Sequence, residues 1–226
     1  MILIRFKLYF FLAICVGYAP SIGAGLLDKD GMADWEICAM CHGADGISHM
    51  AKFPKLAGQK ADYISKQFKD FYWQRRTNDG GQMQAITTEI DLKNVDAVAS
   101  YFAQLPPSAA AQLSDDPASQ QLFDDGEKVF WQSVNGTDSC ATCHHPSASV
   151  RAEKNSASGA GVMVAAPILF AQHEAYLVKQ LNDFKANVRK NDSTKSMNIV
   201  AKNLDTQSIQ AVAFYLAHRQ QNDEKK

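Results

Sequence analysis

Apolar residues recur along the chain at helical spacing, in stripes that appear twice. Tyr63, Phe68 and Phe71 follow a near-helical rhythm, and Tyr176, Leu181 and Phe184 repeat it further along. Val95, Val98, Tyr101, Phe102 and Leu105 make a stripe at i, i+3, i+6, i+7 and i+10, echoed by Ile209, Val212, Tyr215 and Leu216. Asp91 and Asp205 precede these stripes, where a carboxylate can accept from the orphan N–H groups of a first helical turn. Little alternates with the two-residue period of a strand. The pattern predicts an all-α protein, each half holding three or four helices joined by long loops.

The stripes belong to a longer internal repeat. Cys38-Ala39-Met40-Cys41-His42 matches Cys140-Ala141-Thr142-Cys143-His144. Beyond these strings Pro54 pairs with Pro167, Gln59 with Gln172, Tyr63 with Tyr176, Lys66-Gln67 with Lys179-Gln180, and Asp70-Phe71 with Asp183-Phe184. Arg76 then pairs with Arg189, Asn78-Asp79 with Asn191-Asp192, and Met83 with Met197. The chain is a duplication. Between His144 and Pro167 the second half carries an insertion rich in Ser, Ala and Gly, Ser156 to Gly161 at its centre, which reads as flexible surface chain. Pro106-Pro107 and Asp115-Asp116-Pro117 bracket a linker, so we expect domains over 25–109 and 110–226. Gly31 with Trp35, and Gly126 with Phe130, open the halves alike; each glycine is expected to let the first helix cross closely against the last.

Residues 1–24 stand apart. Arg5 and Lys7 precede an apolar run from Leu8 to Val16, with small residues around Ser21 to Gly25, the layout of a secretory signal peptide cleaved near Ala24. A retained membrane anchor is the alternative, although the apolar core is short for a span of about 20 residues. Lipidation at Cys15 fits less well, because bulky Ile14 precedes it.

Composition adds limits. With 46% hydrophobic residues the chain can bury a core. A formal charge of −1 lacks the basic footprint that nucleic acid requires. Loss of residues 1–24 removes Arg5 and Lys7 and no anion, which takes the charge to −3.

Four cysteines in an exported chain would ordinarily suggest disulfides. A histidine follows each Cys-x-x-Cys pair at once, and that changes the chemistry. Two thiols on one helical turn can each form a thioether with a vinyl group of one haem, and the next residue is directed at the iron. Cys38, Cys41, Cys140 and Cys143 are the expected attachment points, and His42 and His144 the expected iron ligands, of two haem c groups. Two disulfides or a zinc site are the alternatives; zinc needs four ligands in one cluster. A central haem would also supply the core that so small a domain lacks.

Met83 and Met197 are the expected second axial ligands. Each stands in polar, loop-like sequence where a methionine has little packing reason to recur, and thioether sulfur suits haem iron. Met40 and Met50 lack a partner in the other half, as does Met163, which lies in the insertion and is the serious competitor. His145 could compete with its neighbour His144; His49, His173 and His218 are expected at the surface. The carbonyls of Pro54 and Pro167 are candidates to accept the second ring N–H of the ligand histidines. Arg76, Arg189, Tyr63 and Tyr176 are candidates to hold haem propionates, since a buried carboxylate needs paired donors; solvated surface is the competing reading for the arginines.

On these residues the chain resembles the dihaem cytochrome c4 family of class I c-type cytochromes. The likeness runs from about Gly31 to Ala217 and is carried by both Cys-x-x-Cys-His strings, by "FPKLAGQKADYISKQFKDF" and "APILFAQHEAYLVKQLNDF", and by the Arg-x-Asn-Asp…Met runs. The resemblance implies two tandem cytochrome c folds in pseudo-twofold contact, each wrapped around one His/Met-ligated haem, in a bacterial periplasm. It implies electron delivery to a terminal oxidase or another respiratory partner, without bond-making chemistry, and leaves a loose membrane association open. Two other readings stand beside this one: the cytochrome subunit of a dehydrogenase, such as a flavocytochrome c sulfide dehydrogenase, and a dihaem enzyme with an open iron. The mature chain holds no cysteine beyond the attachment pairs, which removes any enzyme needing a distal thiolate.

Overall fold

The computed structural model describes residues 27–145 and 166–220, and every regular element among them is helical. The signal segment with Cys15 and Ala24, the Ser156–Gly161 insertion and Met163 lie outside the described residues. The first half contains α1 (Asp34–His42), α2 (Ala61–Tyr72), α3 (Gln82–Thr87) and α4 (Val95–Gln104). The second contains α5 (Pro117–Trp131), α6 (Cys140–His144), α7 (Glu174–Lys185), α8 (Ser196–Lys202) and α9 (Thr206–His218). No described helix is long and apolar enough to cross a membrane.

Local chemistry sets the helix starts. Asp205 accepts the N–H of Ser208 at 2.7 Å to cap α9, and Asp116 accepts that of Ser119 at 2.9 Å to cap α5, with Pro117 in its first turn. Asp91 accepts the N–H of Lys93 at 3.1 Å, which opens a 3-10 turn (Leu92–Asn94) running into α4.

The two halves open differently. Gly126 lies where α5 crosses α9: a Cβ there would sit 2.0 Å from the Ala211 carbonyl oxygen, so only glycine permits this approach. Gly31 has no such role. It precedes α1 with φ +80, and a Cβ on it would meet nothing within 4 Å. Trp35 instead stacks on Tyr101 at 4.4 Å between ring centroids. The attachment string also differs in setting. Cys38 to His42 end α1, whereas α5 stops at Trp131 and Cys140 to His144 form a separate short helix. The halves therefore differ in this connection as well as in the insertion.

The buried apolar clusters are unequal. The second half packs Phe130, Phe170, Leu177, Val212, Tyr215 and Leu216 together, whereas the first joins Ile37, Phe68, Ile90 and Val95.

Contacts between the halves come in twofold-related pairs. Arg76 Nη2 donates to the Tyr176 hydroxyl and Arg189 Nη2 to the Tyr63 hydroxyl, each at 3.1 Å. Lys66 Nζ donates to the Asn191 carbonyl at 2.8 Å and Lys179 Nζ to the Asn78 carbonyl at 2.6 Å. Gln59 and Gln172 each bond the backbone of the opposite half. α2 and α7 thus face one another across a polar, buried seam.

Candidate haem sites

The last turn of α1 carries Cys38, Cys41 and His42, and α6 carries Cys140, Cys143 and His144. None of these cysteines is in a disulfide. Among the described residues no three His, Cys, Asp or Glu side chains are grouped to hold a metal ion, so the zinc arrangement is not formed. Burial pushes the Cys38 thiol up to about 12 and the Cys140 thiol up to about 11, and it raises Cys143 as well. Redox-active Cys-x-x-Cys pairs work with lowered values. Held protonated in this way, these thiols do not fit a redox-active pair.

Both histidines are buried, and each makes the same bond. His42 Nδ1 lies 2.8 Å from the Pro54 carbonyl oxygen, and His144 Nδ1 lies 2.9 Å from that of Pro167. A carbonyl only accepts, so Nδ1 carries the proton in both rings and Nε2 holds the lone pair. Burial lowers both pKa values against the opposing pull of the proline carbonyls, which keeps the rings neutral. A neutral imidazole with a fixed tautomer is the form that binds iron.

Met83 and Met197 are placed by helices that their polar surroundings did not announce. Each lies in the first turn of a short helix, α3 or α8, rather than in a loop. The Asp79 carboxylate accepts the Met83 N–H, and Asp192 accepts that of Met197 at 2.8 Å. A left-handed residue precedes each helix, Gly81 at φ 85 and Lys195 at φ 58. Met40 and Met50 are exposed. The His145 ring lies against Trp131 at 5.2 Å. His49 is exposed, but His173 is half-buried and donates from Nε2 to the Ser48 carbonyl across the seam, at 2.8 Å, because its helix faces the other half.

Arg76, Arg189, Tyr63 and Tyr176 come together at the seam. Each guanidinium rests on a ring of its own half, Arg76 over Phe71 at 4.6 Å and Arg189 over Phe184 at 4.5 Å. Both arginines are only 6% exposed, and neither forms an ion pair with a described residue. Their donors converge on two amide oxygens. Gln67 Oε1 accepts from Arg76 Nη1, Arg189 Nη2 and Asn191 Nδ2, while Gln180 Oε1 accepts from Arg76 Nη2, Arg189 Nη1 and Asn78 Nδ2. Three donors on one carbonyl oxygen exceed its two lone pairs. Two buried cations with crowded neutral acceptors call for an anion. Burial would raise the Tyr176 hydroxyl, yet the facing Arg76 and Arg189 hold it below its usual value. The nearby Asp70 carboxylate is taken up elsewhere: burial opposes its charge, but hydrogen bonds from Lys66, Asn191 and Arg75 prevail and keep it ionised.

The role of Gln67, Gln180, Asp79 and Asp192 escaped the sequence reading. Their recurrence in both halves was the available signal, but recurrence alone does not say which surface a polar side chain faces.

No protein-family model matches the chain. Cytochrome c4 of Pseudomonas aeruginosa is 34% identical over 190 residues, covering 82% of this chain and 85% of that protein. The crystal structure of reduced recombinant cytochrome c4 from Pseudomonas stutzeri superimposes with a TM-score of 0.65 at 29% identity, over 84% of this chain and 98% of that one. This chain belongs to the cytochrome c4 family. It is an all-α, dihaem c-type electron-transfer protein with two tandem cytochrome c-like domains, and its cofactors are two haem c groups containing iron. The thiosulfate dehydrogenase electron acceptor of Stutzerimonas stutzeri is also similar, 32% identical over 80% of this chain and 78% of that protein. The residues fit the cofactor the family carries: a pair of cysteines beside a neutral, oriented histidine in each half, and an anion-seeking pair of guanidiniums between them.

Proposed function

We propose that the chain is an exported respiratory electron carrier that delivers electrons to a terminal oxidase and performs no catalysis of its own. The observation that supports this most is the twice-repeated histidine, neutral and tied through Nδ1 to a proline carbonyl, beside a pair of cysteines. Cys38 with Cys41, and Cys140 with Cys143, form the thioethers. His42 and His144 bind iron through Nε2, and Met83 and Met197 occupy the opposite faces. Haem iron so bound supplies one-electron transfer and offers no open position to a substrate. Asp79 and Asp192 anchor the backbone that carries each methionine. Arg76 and Arg189, with Tyr176 and Tyr63, hold the propionates that face the seam, which provides the anion those guanidiniums lack. The domains divide at 109/110, and residues 1–24 direct export to the periplasm, with the cut near Ala24.

A second reading, acceptor for a dehydrogenase, is favoured by the likeness to the thiosulfate dehydrogenase electron acceptor. Stopped-flow mixing separates the two. We expect the reduced protein to be reoxidised rapidly by oxidase-containing membranes, with matching oxygen uptake. Reoxidation at the uncatalysed rate, together with fast reduction by a thiosulfate- or sulfide-oxidising enzyme, would replace the oxidase reading with the dehydrogenase one.

A further inference from the structure

The seam does more than hold the halves together, because two of its glutamines bond the peptides that orient the histidines. The Pro54 carbonyl and the Lys55 N–H belong to one planar peptide unit. His42 Nδ1–H donates to the carbonyl end of that unit at 2.8 Å. The N–H end donates to Gln172 Oε1 of the second half at 2.9 Å, and Gln172 Nε2 returns a bond to the Lys55 carbonyl at 3.0 Å. The other half repeats the arrangement. His144 Nδ1–H donates to the Pro167 carbonyl at 2.9 Å, the Ile168 N–H donates to Gln59 Oε1 at 3.0 Å, and Gln59 Nε2 donates to the Ile168 carbonyl at 2.8 Å. Gln59 and Gln172 are 7% and 8% exposed, so water competes little for these bonds. Each amide is steadied by its own chain as well, since Gln59 Oε1 also accepts the Lys60 N–H and Gln172 Oε1 the His173 N–H, both at 3.0 Å.

We propose that Gln172 is a positioning residue for His42, and Gln59 for His144, so that each domain sets the basicity of the iron ligand in the other. Hydrogen bonds in series polarise one another. An acceptor on the Lys55 N–H makes the Pro54 carbonyl a better acceptor for the histidine proton. A stronger bond at Nδ1 makes Nε2 more basic, which favours ferric iron and lowers the reduction potential. This rests on His42 and His144 being the iron ligands. A His42→Ala variant that keeps an unchanged ligand field would defeat that premise, whatever the glutamine variants do.

The test is a redox titration of the dihaem protein with the haems distinguished by proton NMR, through contacts from each haem to Met83 or Met197. Gln172→Leu should raise the potential of the first-half haem and shift its hyperfine resonances while leaving the second-half haem in place. Gln59→Leu should do the reverse. Gln172→Glu gives up the donor to the Lys55 carbonyl but keeps an acceptor, now charged, at the Lys55 N–H, and should move the first-half potential downward, so it also serves if the leucine variant does not fold. Shifts in the haem of the glutamine's own half, equal shifts in both, or the same sign for Leu and Glu would overturn the proposal.

Discussion

Replacing Cys38 and Cys41 together by Ala yields a chain with one haem instead of two, whose first half fails to fold. The expectation follows from what that half can bury without its cofactor. Its main apolar cluster joins Ile37, Phe68, Ile90 and Val95, with Cys38 packed against it, while Phe71, Val98 and Phe102 are buried outside that cluster. A domain of under about 100 residues buries a smaller fraction of its surface than a large one and is marginal against the chain entropy, so loss of a large apolar cofactor is expected to tip it toward unfolding. The second half has Phe130, Phe170, Leu177, Tyr215 and their neighbours, so the reciprocal Cys140 and Cys143 replacement should leave more residual helix. Haem content per chain, far-ultraviolet circular dichroism and limited proteolysis check this. We expect half the haem, loss of roughly half the helical signal and survival of a fragment starting near residue 110. Full helicity and protease resistance with one haem would show that the first half has a sufficient core of its own.

Met83→Ala and Met197→Ala should each remove about half of the ferric methionine–iron charge-transfer band and lower the potential of one haem. Methionine as the sixth ligand favours the ferrous state, so its loss stabilises ferric iron and opens a coordination position. The matched placement carries the prediction, since each methionine sits in the first turn of a short helix with its N–H held by an aspartate. Each variant should then bind carbon monoxide at one iron per chain. Retention of the whole band in Met197→Ala, with loss of half of it in Met163→Ala, would move the second ligand into the insertion.

Helices α2, α4, α7 and α9 could be read from the sequence because each buries an apolar stripe, and spacing reports that directly. α3 and α8 could not. They are too short to show a stripe, and they depend on the side chains of Asp79 and Asp192 and on a left-handed turn that Lys195 adopts against the usual preference of its residue type. The matching openings at Gly31 and Gly126 misled, because the glycine precedes a nine-residue helix in one half and lies inside a fifteen-residue helix in the other. The cysteine–histidine strings were legible since their chemistry is local to one turn. The seam was not: Gln59, Gln67, Gln172 and Gln180 have partners more than a hundred residues away, and no periodicity marks such a surface.

Both irons of this chain are expected to have their two axial positions filled by protein side chains. Carbon monoxide titration of the dithionite-reduced, unaltered protein measures this directly, with total haem set by the pyridine haemochrome. We expect two haems per chain and no stoichiometric change in the visible spectrum on adding the gas. Uptake of one carbon monoxide per iron would contradict this expectation.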